Sequence, residues 1–361
     1  MLSLLRWFFL LLSGLVLFVG LTPPLQRKLS SKGLIPNQFT YGDLYNMTNL
    51  PAFREKNIGE NMALTPQDKP ARRYENVHFY NFGDSFTDID TSYYAGGFNF
   101  RASQNEHLQP IHLDRSKKNI LFFQFIERVI RERLQPSVYP AMYIQNGVMD
   151  TTGKGPLPPQ IAAKPSPLPD WALAQFGHDM SSRLEFILFN FKPFLKLKEA
   201  KAQFTLDVLG RVPAAEVSRD HQHVFYKIEA NGLSSSSSFY PVDEAELKRV
   251  IRVMNTIRDY YKKMGFDEVY VAFIPNKVTV LEPNHRPFGQ PYNHLIERLE
   301  ADTTLKTPLL SFYGTVTKHP EWYHLGDGHW NNQGKRYWLS RVNTLIGQVS
   351  RGDSIPRIQY K

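Results

Sequence analysis

The apolar, aromatic run Val77-His78-Phe79-Tyr80-Asn81-Phe82 stops at Gly83 and leads straight into Asp84-Ser85-Phe86. A short apolar run ended by a turn residue reads as a buried strand. Helical patterns alternate with such runs along the chain, and that alternation implies a parallel sheet covered by helices. Asp243 to Met264 carries Val250, Ile251, Met254, Ile257 and Tyr261 at helical spacing, with Gly265 as its stop. Val269 to Pro275 reads as another buried strand, Tyr292 to Leu299 as a helix, Leu309 to Tyr313 as a short strand and Gln333 to Ile346 as a closing helix.

Further expectations cover the segments between these elements. Residues 86–100 should begin a helix and loosen into a loop at Gly96-Gly97. Ile120 to Ile130 has the spacing of an amphipathic helix, and Val138 to Ile144 reads as a second strand ending at Gln145-Asn146-Gly147. The Pro-rich stretch Gly153 to Pro169 marks a surface insertion, and Trp171 to Ala202 is expected to form a helical cap beside the sheet. Val224 to Ile228 looks strand-like, and the run Ser234 to Ser238 reads as a loop. The division this suggests is a membrane anchor over 1–24 and an irregular linker over 25–75. A catalytic body follows over 76–350, with the insertion and cap at about 150–240, and then a tail over 351–361.

Composition narrows the class. With 42% hydrophobic and 13% aromatic residues, a sizeable core can form and global disorder is excluded. The net charge of +9 comes from scattered Lys and Arg, so it suits acidic glycans, anionic lipid or nucleic acid equally. No nucleic-acid recognition motif accompanies it, and nucleic acid is not an expected partner. The absence of cysteine removes disulfides, thiol nucleophiles and Cys-bound metals.

Near the N-terminus, Trp7 to Leu21 is uncharged, and Leu2 to Leu5 extend the apolar stretch across Arg6. About 20 apolar residues are needed to cross a bilayer. No A-x-A-like cleavage site follows, and Thr22-Pro23-Pro24 interrupts the pattern, so an uncleaved anchor is expected over a secretory signal. Arg27, Lys28 and Lys32 alone would keep the body inside. Long downstream domains translocate largely regardless of such charges, and an exported body is the expectation adopted.

Three residues carry the chemistry. Ser85, at a strand-to-helix turn, is a candidate nucleophile; the alternative is that Asp84 or Ser85 merely caps the next helix. His329 is the candidate base, and Asp327 the group that fixes its tautomer, in the segment Asp327-Gly328-His329-Trp330. Separately, an Asp-Gly turn and a lone His are each ordinary. Found in this order at the edges of core elements, they argue for acyl-ester chemistry. Trp322, Tyr323, His319 and His324 make the approach to Asp327 aromatic, which suits either stacking on sugars or a core. No metal-binding pattern accompanies these His residues, and no metal or cofactor is expected.

Gly83-Asp84-Ser85-Phe86 and Asp327-Gly328-His329-Trp330 resemble the first and last blocks of the SGNH/GDSL hydrolase superfamily. The Asp-x-His-Trp form and Ile274-Pro275-Asn276-Lys277-Val278-Thr279-Val280 resemble its alginate O-acetyltransferase-like branch, over about residues 76 to 346. The resemblance implies an α/β three-layer sandwich and a membrane-anchored serine esterase or O-acyltransferase acting on an exported polysaccharide. It places the body on the outer side of a bacterial inner membrane. The acyl donor stays open, a membrane acyltransferase being one candidate source. By position, Ser85 would be nucleophile, His329 base and Asp327 its partner. Gly147, in the Asn146-Gly147 turn, would be an oxyanion donor, and glycine does let a backbone N–H approach a ligand closely. Lys277 could bind an acidic sugar or lie along the surface. The chain departs from the pattern in three ways. The Asp-His pair follows the serine, unlike in the alginate enzymes. The spacing is Asp-x-His instead of the hydrolases' Asp-x-x-His. No clean Gly-x-Asn-Asp block appears, since Gly177-His178-Asp179-Met180 matches it poorly. The oxyanion asparagine is therefore unassigned, and transferase and hydrolase both stay open. The rival class is a non-catalytic glycan-binding or scaffold subunit of a polysaccharide export complex.

Overall fold

The computed structural model describes residues 2–32, 34, 41–103, 110–144, 147–152, 184 and 192–353. The expected Pro-rich insertion, most of the expected cap, and Asn146 lie outside the described residues. The chain divides into two compact units. One comprises Met1–Gly59, Ala162–Ala214 and Leu325–Asp327, and the other Glu60–Ile161, Ala215–His324 and Gly328–Lys361.

The second unit is built on four parallel strands: β1 (Tyr74–Gly83), β2 (Gly96–Ser103), β4 (Lys118–Ile126) and β8 (Glu268–Ile274), in the order β2-β1-β4-β8. A lone parallel bridge from Val271 to Leu309 continues the series beyond β8. The chain moves outward from β1 to β2 on one side, then returns to build β4 and β8 on the other. The order therefore reverses between β1 and β4. At such a switch point the loops leaving the two strands part in opposite directions, and a crevice opens outside the strands' carboxyl ends. Small pairs complete the unit: β3 (Ile111–Leu113) parallel with β5 (Val148–Asp150), and β6 (Ala215–Val217) antiparallel with β7 (Val224–Tyr226).

Both faces of the sheet are buried, which is why its strands read as apolar runs. Tyr80, Phe82, Leu121, Phe123, Phe125, Val269, Val271 and Phe273 face one core. That core is shared with helix Glu244–Met264 through Leu247, Val250, Ile251, Met254, Ile257 and Tyr261. Val77, Phe79, Ile120, Phe122, Tyr270, Ala272 and Ile274 face the other, against Trp338, Leu339, Val342, Leu345 and Ile346 of helix Asn332–Arg351. Each fully buried aliphatic side chain stabilises the fold by roughly 1.5–3 kcal/mol relative to exposure. Both long helices have side-chain caps: Asp243 accepts from the Glu246 N–H, and Asn331 from the Gln333 and Gly334 N–H groups. This is the expected α/β class, with a parallel sheet between helices.

Several local expectations are corrected. Residues 85–93 form only 3₁₀ turns at Ser85–Thr87 and Thr91–Tyr93, and Gly96-Gly97 opens strand β2 where a loop was expected. Ile120 to Ile130 is strand β4 running into a helix, Glu127–Arg133, so its helical spacing is split between two elements. Val138 to Ile144 contains a 3₁₀ turn, Tyr139–Met142, in place of a strand. Pro140 inside that run lacks the N–H a strand interior needs.

In the first unit, helix Leu2–Leu21 is long and apolar enough to cross a membrane, and Trp7, Phe8, Leu10 and Leu11 are each more than 60% exposed. The linker expected after it contains short helices at Pro23–Ser31, Asp43–Thr48 and Ile58–Met62, the last extending into the second unit. Within the segment Trp171 to Ala202 expected to be helical, helix Lys192–Leu209 is described and runs beyond Ala202. Buried Glu199 ties the unit together, accepting from Tyr45 Oη at 2.7 Å and pairing with Arg54 at 3.0 Å. Burial, with Glu199 beside it, pushes the Tyr45 phenol well above its ordinary value.

Candidate active site

Strand β1 ends at the switch point, so the turn that follows it lies at the sheet's carboxyl edge. Asp84 caps that turn: its Oδ1 accepts from the Phe86 N–H at 2.9 Å. The capping alternative weighed for this pair thus falls on Asp84 and leaves Ser85 exposed. Gln124, on the neighbouring strand β4 and fully buried, fixes Asp84 from two sides. Its Oε1 accepts from the Asp84 N–H at 3.0 Å, and its Nε2 donates to Asp84 Oδ2 at 3.1 Å. Arg101 of β2 donates to the Thr87 and Asp84 carbonyls at 3.0 and 3.3 Å. Strands on both sides of β1 therefore hold the turn that presents the serine.

Ser85 Oγ lies 2.6 Å from His329 Nε2. The His329 ring rests on Phe86, with centroids 4.8 Å apart. Phe86 is completely buried, packs edge-on against Trp330, and accepts the Trp330 indole N–H on its carbonyl at 3.0 Å. His329 itself accepts on its carbonyl from the His324 N–H, beside a Tyr323–Trp330 bridge. One buried residue of the serine turn, Phe86, thus seats both the imidazole and the tryptophan after it. A bulky apolar residue directly after the serine was the sequence signal for this contact.

Gly328 approaches its surroundings too closely for a side chain: a Cβ there would lie 2.3 Å from Tyr226 Cε2. Asp327, the residue before it, is buried and belongs to the first unit. There its Oδ2 accepts from the Asp43 N–H at 3.0 Å, at the start of helix Asp43–Thr48. Glu55 Oε2 accepts from the Leu325 and Gly326 N–H groups in the same unit.

The remaining candidates are placed differently from expectation. Gly147 has a φ of 99°, as its turn requires, but its N–H donates to the Ile144 carbonyl at 3.3 Å and its carbonyl accepts from Ile111. That amide is not an unobstructed donor. Lys277 is 1% exposed, which removes both the surface reading and open contact with a sugar. Tyr323 and His324 are buried, while His319 and Trp322 stack at 4.2 Å on partly exposed rings, so the aromatic group divides between core and surface.

Two charged groups at the end of β4 carried no sequence signal. Glu127 is buried and accepts on Oε2 from the Asn276 N–H at 2.9 Å and from Thr279 Oγ1 at 2.6 Å. Burial raises its pKa to about 7, against those two hydrogen bonds, which lower it. Arg128 pairs with buried Glu229 and lies 5.2 Å over the Tyr226 ring.

No family model, curated protein or solved structure matches the chain.

Proposed function

We propose that the protein is a serine esterase or O-acyltransferase. The observation that carries this reading is the 2.6 Å contact between Ser85 Oγ and His329 Nε2 at the sheet's switch point. A serine hydroxyl attacks only if a base removes its proton as the new bond forms. With Nε2 unprotonated, His329 takes the Ser85 proton while Oγ bonds to the acyl carbon and the carbonyl π bond opens onto oxygen. His329 then gives the proton to the leaving alcohol as its C–O bond breaks, which leaves acyl-Ser85. A second hydroxyl, from water or from a sugar, repeats the sequence in reverse and frees the serine. Asp327, one residue removed from His329 across Gly328, is the proposed orienting acid. Ser85 opens its turn, where a helical N–H has no intrahelical acceptor, and that N–H is the first proposed oxyanion donor.

The carbohydrate substrate rests on the sequence resemblance alone. Membrane anchoring rests on the exposed apolar helix Leu2–Leu21, and export of the body rests on the sequence resemblance.

The test is hydrolysis of p-nitrophenyl acetate by the full chain in detergent. Ser85→Ala and His329→Ala should each cut turnover at least about 10³-fold while the fold survives. Full activity in either variant overturns the reading, and no turnover in the wild type would point instead to a glycan-binding subunit.

A further inference from the structure

With the Gly147 amide engaged and no asparagine assigned, the proposed reaction needs a second donor for the oxygen that becomes negative. Strand β4 is the neighbour of β1 across the switch point, so the chain leaving its carboxyl end emerges at the same sheet edge as Ser85. The chain leaves β4 through helix Glu127–Arg133, with Arg128 as its second residue. The Arg128 N–H donates to Asn276 Oδ1 at 3.1 Å, which pins its backbone to the end of β8.

The guanidinium is aimed by its partners. Nη1 bonds Glu229 Oε1, on a residue that is 1% exposed, and the group lies over Tyr226. Tyr226 in turn fills the space above Gly328, next to His329. Burial works against the Arg128 charge, but Glu229, Tyr226 and also Asp84 more than offset it. The cation is therefore favoured by Asp84, the residue before Ser85, and rests on the ring that covers Gly328. Its side chain is 21% exposed, and its Nε and Nη2 have no hydrogen-bond partner among the described residues.

We propose that Arg128 is a catalytic residue that donates from its uncommitted N–H groups to the acyl carbonyl oxygen as Ser85 attacks. This deepens the esterase or acyltransferase reading and rests on it. The carbonyl electron pair moves onto oxygen, Oγ bonds to carbon, the proton goes to His329 Nε2, and the new anion meets a fixed cation already paired with Glu229. The pairing holds the fork still, so little reorganisation accompanies the step.

Two variants test the proposal: Arg128→Lys, and Arg128→Met combined with Glu229→Gln so that no buried carboxylate is left alone. On p-nitrophenyl acetate each should lower kcat by about 10²–10³-fold with KM changed less than about threefold. Circular dichroism would confirm folding, and added guanidinium should restore part of the turnover to an Arg128→Ala variant. Unchanged kcat in a folded variant overturns the proposal. So does a rise in KM confined to anionic esters, which would make Arg128 a clamp for substrate charge. Wild-type turnover that depends on Ser85 upholds the esterase reading however Arg128 behaves, whereas absence of wild-type turnover removes both.

Discussion

Strands β1 and β8 finish at the same edge of one sheet, and polar residues follow each, yet the two ends are opposite in construction. After β1, Asp84 is held by Gln124 while Ser85 stays exposed with its hydroxyl on His329. After β8, the polar groups turn inward. Asn276 and Thr279 close on Glu127, and both side chains also bond Ser238 Oγ, at 2.9 and 2.7 Å. Every member of that second group is buried. A polar side chain at a strand's end is thus available for chemistry only if its neighbours supply the hydrogen bonds that would otherwise draw it inside. At β1 the neighbouring strand does so for Asp84. At β8 the polar residues bond one another.

The contrast can be broken at Gln124 with the largest effect. Gln124→Leu keeps the volume but removes both bonds to Asp84, so the serine turn should drift while the sheet stays whole. A displacement of about 1 Å at the reacting group can cost on the order of 10²-fold. We expect that loss in kcat/KM on p-nitrophenyl acetate, with little change in the far-ultraviolet spectrum. A stability loss as large as the activity loss would mean that Gln124 serves the core and not the site.

At the β8 end the effect should fall on stability and follow pH. The Glu127 carboxyl keeps its proton in the folded protein up to about pH 7, whereas in the unfolded chain it ionises near its ordinary value of 4.5. Between those values the unfolded state binds fewer protons, so this group makes the protein less stable as pH rises and adds no further slope above about 7. Glu127→Gln cannot ionise and should lose that slope. Its stability relative to wild type should therefore grow across the window by up to about 3 kcal/mol, read from urea denaturation at several pH values. Parallel wild-type and variant curves would show that the carboxyl is charged when folded.

The smallest effect is expected for Asn276→Ala, which leaves the Arg128 N–H and Ser238 Oγ each one partner short. A buried group deprived of its hydrogen bond costs about 1–3 kcal/mol, so the urea midpoint should fall accordingly. No shift would show that water replaces the amide.

Much of this was legible in the residues. Helix Glu244–Met264 is legible with its start and its stop, because a long amphipathic face carries its own period. Strands β1 and β8 were read as well, since a doubly buried strand is a short apolar run between turn residues. Strand β4 was misread for a physical reason. Gln124, Glu127 and Arg128 sit three and four residues apart and mimic a polar helix stripe. In the structure Gln124 is turned to Asp84 from within the strand, and the other two open the helix that follows. The pairing of Ser85 with a histidine 244 positions away was expected from order alone, and the two atoms do meet. The Arg128–Glu229–Tyr226 group had no such signal. Its members come from the helix after β4, from β7 and from the short helix Lys227–Ala230 after β7, and only the tertiary fold brings them together.

Gly328 ties two of these parts into one mechanical unit. The aromatic plate under the Arg128 cation is the same plate that leaves residue 328 no room for even a methyl group. An inherited change at this position would have to push the plate or tilt the imidazole after it, and either movement alters the reacting centre. The cation and the imidazole thus share one tolerance, set by the smallest residue between them.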